Sequence, residues 1–106
     1  MLFHVTMTHT EDNCPGYHSE RMPEVLEAFE NVEPLAKELN VKLHSFVWCP
    51  PDHVAFVLLE ADSLIAISRY VFSIPMPQDT KVVPVEHIHD TVAMAKAMMA
   101  QEQKQG

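Results

Sequence analysis

The chain opens on alternating residues that predict a β-strand within its first ten positions. Phe3, Val5 and Met7 fall on one face, while His4 and Thr6 fall on the other, because successive side chains of a strand point to opposite sides. One face is therefore apolar and the other mixed. Such a strand is expected to pack helices on its apolar side.

A loop over residues 10–19 leads into a predicted helix over 20–39, in which apolar residues recur at spacings of three and four. Pro34 lacks the N–H that a helix interior needs, so the helix is expected to kink or restart there. Asn40 can close the helix in a left-handed conformation.

Two strands over 41–48 and 53–60 are predicted next, joined by a proline-containing turn over 49–52. The second strand is apolar on both faces, which is typical of a strand covered on both sides. Alternation in the strand over 41–48 predicts a mixed face made of Lys42, His44, Phe46 and Trp48.

The rest of the chain predicts a helix, a strand and a helix. The helix that follows the strand over 53–60 is capped by Asp62 or Ser63 and stops before Pro75 and Pro77. A strand over 81–87 follows. The last helix, capped by Asp90, covers 91–101, ahead of a polar tail over 102–106 that is expected to fray.

This order of elements predicts one domain over residues 1–101, an α+β domain with the ferredoxin-like βαββαβ plan and an extra C-terminal helix. Its four-stranded antiparallel sheet has the strand order fourth, first, third, second, with the helices on one face. The other face is left open although the third strand is apolar on both sides. We therefore expect a homodimer or a higher assembly of this chain.

Composition narrows the function classes. Fifteen acidic residues against seven Lys and Arg give a net charge of −8, which disfavours nucleic acid as a partner. No apolar stretch reaches the ~20 residues that a membrane span needs, so we expect no membrane partner and a cytoplasmic protein. Cys14 and Cys49 are expected to be free thiols, because disulfides are rare in the cytosol.

The opening MLFHV followed by MT, and a later Ile-Pro-Met-Pro before the last strand, resemble the muconolactone isomerases. More broadly, the chain is similar to small, uncharacterised members of the dimeric α/β-barrel superfamily. The resemblance implies a dimeric barrel and an intramolecular proton transfer on a lactone. His4 stands in the matching stretch.

Candidate chemistry centres on the histidines. We expect one end of the sheet to collect His4, Trp48, Cys49, His53, Glu86 and His87. His4 and His44 are predicted on the open face as acid and base near neutral pH, in a pocket for a small organic molecule with isomerase-like or cyclase-like chemistry. The residues expected to bind that molecule are Thr6, Lys42, Phe46, Trp48 and His87.

Metal binding is an alternative hypothesis. His4, His44 and His87 would supply three neutral nitrogen donors, which suit zinc, copper or nickel. Cys14 with His18, and Cys49 with His53, are further ligand types without a diagnostic spacing. Cys14 as a nucleophile is disfavoured by the acidic neighbours Glu11 and Asp12. A non-catalytic structural dimer stays open as a third hypothesis.

Overall fold

The structure is a computed structural model that describes residues 1–76 and 78–105. Its elements in chain order are β1 (Leu2–Thr8), α1 (Met22–Glu30), α2 (Val32–Glu38), β2 (Lys42–Cys49), β3 (Val54–Glu60), α3 (Leu64–Phe72), β4 (Asp79–Val85) and α4 (Ile88–Gln105). Short 3₁₀ turns cover Glu11–Asn13, Pro15–Tyr17 and Pro50–Asp52. Pro77, expected beyond the end of a helix, and Gly106, expected in the tail, lie outside the described residues.

The four strands form one antiparallel sheet in the order β2-β3-β1-β4. This is the predicted order, and the ferredoxin-like α+β fold is confirmed. Apolar side chains of β1 and β3 meet those of α1, α2 and α3 in one core on one face of the sheet. Its most buried members include Val5, Met7, Val25, Val57, Leu59, Ile67 and Tyr70.

The long first helix is divided in two. α1 ends at Glu30 and α2 begins at Val32, so the predicted restart occurs slightly before Pro34. Pro34 then lies in the first turn of α2, where a missing N–H breaks no helical hydrogen bond. Asn40 has φ 58°, which confirms the left-handed helix end.

A bulge in β2 makes the predicted face assignment of that strand wrong. Leu43 pairs with Leu59, but Ser45 pairs with Leu58, so His44 is an extra residue without a place in the register. Beyond the bulge the alternation is shifted by one. Phe46 and Trp48 therefore pack towards the helices, while Val47 points to the open face.

The expected grouping of site residues at one sheet end is also wrong. Leu2 pairs with both Glu60 and Val85, so the start of β1 meets the ends of β3 and β4. The start of β3 lies at the opposite end, beside Thr8. His53, Trp48 and Cys49 therefore lie towards the opposite end of the sheet from His4 and His87.

The open face and α4 both carry exposed apolar side chains. Phe56, Val47, Val83 and Val85 are exposed on the open face, and Val47 is there only because of the bulge in β2. α4 begins at Ile88 and continues to Gln105, so it includes residues 102–105 of the expected tail. From Ile88 to Lys104 its side chains are exposed, apart from the half-buried Thr91. Among the described helices, α4 included, none is long and apolar enough to cross a bilayer.

Candidate metal centre

His9 and His53 are held together by the pairing of β1 with β3. Thr8 and Val54 are partners in the register, so the residue after β1 and the residue before β3 are neighbours. The backbone N–H of His9 donates to the carbonyl of His53 at 3.2 Å. Both side chains therefore leave the same end of the sheet.

The two imidazoles face each other directly. Nε2 of His9 lies 3.2 Å from Nδ1 of His53, and the rings meet edge to face with centroids 5.0 Å apart. His53 has φ 52°, a left-handed conformation that is uncommon outside glycine, asparagine and aspartate. The turn at Pro50–Asp52 ends on this residue and directs its side chain towards His9.

Cys14 brings a sulfur to the same place. It lies between the 3₁₀ turns Glu11–Asn13 and Pro15–Tyr17, in the loop that leaves β1. One ligand atom each from His9, Cys14 and His53 lies within 4.8 Å of the other two. Both cysteines are free, so the Cys14 thiol is available for bonding.

His9 is kept neutral by its surroundings. It is only 9% exposed. Burial, and secondarily the proximity of the His53 ring, lower the pKa of His9. Its Nδ1 is buried and lacks a hydrogen-bond partner among the residues that the structure describes. A neutral imidazole retains the lone pair that a metal ligand needs.

Two imidazole nitrogens and one sulfur are donors that transition metals accept. Two nitrogens bound to one tetrahedral zinc at ~2.0–2.1 Å would be roughly 3.3–3.4 Å apart. The 3.2 Å between His9 and His53 is close to that value. Three protein ligands leave a fourth position for water or another ligand.

An apolar pocket lies next to this cluster. Its volume is about 330 Å³, and it is lined by Phe29, Val32, Phe46 and Trp48. The Trp48 ring lies 5.0 Å from the Phe29 ring and 5.5 Å from the His9 ring, measured between centroids. Trp48 is therefore shared between the pocket and the cluster.

The residues predicted for acid–base chemistry lie elsewhere. His4 is on the open face with its ring 6.1 Å from that of Phe56. His44, at the bulge, bonds to Glu60 through Nε2 at 2.9 Å, and its ring lies 6.5 Å from that of His87. The intervening strand β3 puts the backbones of β1 and β2 about 10 Å apart.

The remaining predicted ligand residues are divided between the two faces. Thr6 is half-buried on the open face, opposite Phe56. Lys42 pairs with Glu60 in the register. The pKa of Glu60 is lowered, chiefly by the hydrogen bond from His44 and to a smaller extent by Lys42. Phe46 and Trp48 belong to the pocket on the helix side, so the structure does not bring all of these side chains together.

Sequence reasoning missed the grouping of His9 with Cys14 and His53, although the two histidines carry a usable signal. In an antiparallel pair the end of one strand adjoins the start of the other. His9 follows the first predicted strand and His53 begins the third, so correct strand polarity would have placed them together. Cys14 gives no comparable signal, because its position depends on the path of the loop.

The family model described as a domain of unknown function, DUF3303, matches residues 1–99. The chain is similar in structure to SCO4226 from Streptomyces coelicolor A3(2), with TM-score 0.50, 16% identity, and coverage of 80% of this chain and 99% of that one. A dimeric ferredoxin-like protein from an uncultured marine organism matches at TM-score 0.35 and 16% identity, over 81% and 95% of the two chains. No curated protein matches. The resemblance to the muconolactone isomerases stays a prediction, because none of these matches carries that name.

Proposed function

We propose that this chain, which belongs to the DUF3303 family, binds a transition-metal ion through His9, Cys14 and His53. The observation that carries the proposal is the convergence of three donor side chains from three separate segments within 4.8 Å. The chemistry is that of the predicted metal-binding alternative, but the ligands are different ones. A thiolate with two imidazoles suits zinc or copper best, and nickel less well.

The donor set supports this proposal over a simple hydrogen-bonded pair. A hydrogen bond between two neutral imidazoles uses one N–H and one lone pair, and it does not require a sulfur beside it. Burial and the neighbouring His53 lower the pKa of His9, which favours the neutral ring that a metal ligand needs. Because Cys14 must be reduced to bind a metal, we propose a reducing compartment such as the cytoplasm.

Metal titration of tag-free protein tests the proposal. Zinc, copper and nickel are added separately to the reduced protein, and stoichiometry is read by native mass spectrometry and affinity by calorimetry. We expect one ion per chain in the wild type, and affinity at least ten-fold lower in Cys14→Ser and His53→Asn. Asparagine is chosen at position 53 because it tolerates the left-handed backbone.

Two matched controls complete this experiment. Cys49→Ser removes an exposed thiol outside the cluster, and His89→Asn removes an exposed imidazole from α4. Both variants are expected to bind like the wild type. Equal losses in Cys14→Ser and Cys49→Ser, or no stoichiometric binding of any of the three metals, would overturn the proposal.

A small apolar ligand in the neighbouring pocket is a second candidate function. A volume of about 330 Å³ lies at the lower end of the range for small-molecule sites, and three aromatic rings line the pocket. Phe46 and Trp48 serve here as the predicted apolar wall, together with Phe29 and Val32. The acid–base roles of His4 and His44 stay predictions, since both residues lie on other parts of the sheet.

Tryptophan fluorescence can test this second candidate. Trp48 is the single tryptophan of the chain, so the emission arises from this part of the molecule, and the titration is made on metal-free protein. Titration with small aromatics and lactones is expected to change that emission saturably. Val32→Phe should weaken the response by narrowing the pocket, whereas Val47→Phe on the open face should not. An emission that no compound changes would count against a ligand here.

A further inference from the structure

α4 has the composition of a packed helix but lies apart from its own domain. The radius of gyration is 18.1 Å, whereas a compact chain of 106 residues has about 13 Å. The longest dimension is 66 Å against 29 Å and 18 Å for the other two. From Ile88 to Lys104 its side chains are exposed apart from the half-buried Thr91, so α4 gains little stability from the domain that precedes it.

The exposed side chains of α4 are divided into two faces. At 3.6 residues per turn, one side of the helix collects the large apolar residues Ile88, Val92, Met94, Met98 and Met99. The opposite side carries Asp90, Lys96 and Lys104 with several alanines, while Glu102 near the end of the helix falls on the apolar side. Packing of an apolar face against another body is what usually stabilises a helix in water.

The open face of the sheet also carries apolar side chains without anything from the described part of the chain packed on them. Val47, Phe56, Val83 and Val85 are exposed there, with His4 and Leu58 half-buried between them. The strands are seven or eight residues long, or roughly 23–26 Å. The eighteen residues of α4 extend about 27 Å, which matches that length.

Charge distinguishes these two surfaces from the rest of the molecule. α4 carries two acidic and two basic residues, and the open face carries Lys42 and Lys81 against Glu60 and Asp79. The acidic and basic residues of each surface therefore cancel, and neither surface has a net charge. α1 and α2 together carry five glutamates and one lysine, or −4. Two copies of a chain with net charge −8 can approach with least repulsion through the balanced surfaces.

We propose that a second copy of this chain covers both surfaces, in a closed two-fold dimer in which each α4 packs on the partner rather than on its own domain. Each copy has one apolar helix and one uncovered sheet face. Each copy can therefore bury the exposed apolar surfaces of the other. Self-complementary surfaces of this kind close at two subunits. The proposal adds an exchanged helix to the homodimer that the sequence predicts, and it is independent of metal binding.

Sedimentation equilibrium tests this arrangement directly, with all proteins in a Cys49→Ser background to prevent disulfide cross-linking. The parent protein is expected at twice its 12.0 kDa chain mass. Val92→Glu with Met99→Glu on α4, and Phe56→Arg on the sheet, should each weaken dimerisation at least ten-fold. Phe72→Glu is the control, because Phe72 is the most exposed large apolar residue yet lies on α3.

Each outcome supports or overturns part of the proposal. A monomeric parent, or an assembly larger than a dimer, overturns it. Dissociation by Phe56→Arg alone overturns the exchange of α4, and dissociation by the α4 variant alone overturns the sheet interface. Loss of the dimer in Phe72→Glu overturns both surfaces.

Hydrogen exchange on the unmodified chain covers the case in which variants misfold. Amides of residues 88–105 should exchange at least ten-fold faster when the protein is diluted below the dissociation constant of the dimer. Protection that does not change with dilution would show that α4 folds on its own domain, and would refute the exchange.

Discussion

Zinc should raise the thermal stability of this protein by an amount that its size allows us to estimate. A ligand that binds only the folded state at 100 times its dissociation constant contributes about 2.7 kcal/mol. A chain of 106 residues unfolds with an entropy of roughly 220 cal/mol/K, from about 2.1 cal/mol/K per residue. The midpoint should therefore rise by about 12 °C.

The assay is differential scanning calorimetry at pH 7.5 with a reductant that does not chelate metal. Zinc is held at 100 times the dissociation constant measured for the wild type. At the same zinc concentration, a ten-fold weaker site contributes about 1.4 kcal/mol, so Cys14→Ser and His53→Asn should shift by roughly half as much or less. Cys49→Ser should shift like the wild type. An undiminished shift in Cys14→Ser would refute the assignment of Cys14 as a ligand.

Three further outcomes are expected from the hydrogen bonds and burial described above. Tyr70→Phe should cost about 1 kcal/mol in urea unfolding, because the Tyr70 hydroxyl donates to the Val32 carbonyl at 2.7 Å and the substitution removes this hydrogen bond. Ser63→Ala should cost about 0.5 kcal/mol in the same assay, since its capping bond is long at 3.4 Å; no change would show that the cap is inactive. Metal-free stability should fall as the pH drops below the ordinary His9 pKa of 6.5, because the unfolded state takes up that proton while burial and His53 lower the folded-state pKa. His9→Gln should flatten this part of the profile, and an unchanged profile would contradict the role of His9.

Periodicity was sufficient to predict the architecture. The apolar alternation of Phe3, Val5 and Met7 placed β1, and the apolar character of β3 on both sides identified the central strand with an uncovered face. These patterns arise from burial, which a sequence records at every second or every third to fourth position. The break between α1 and α2 was detectable because Pro34 restricts the backbone.

The site was harder to predict, because it depends on single residues where periodicity fails. One inserted residue at His44 moves Phe46 and Trp48 to the other face, and alternation alone contains no sign of a bulge. The sequence of α4 has a similar limit. Its apolar face predicts that the helix packs on something, but not which surface it packs on. The His9–His53 pair followed from strand polarity and could have been found.

The bulge at His44 also protects the border of the sheet. β2 is an outer strand, and a straight outer strand offers a regular row of unpaired backbone groups on which another chain can add itself. An additional residue bends the strand and interrupts that row near the start of the strand. Removing His44 would restore a continuous template, so the shortened chain is expected to form fibrils or precipitates more readily than the intact one.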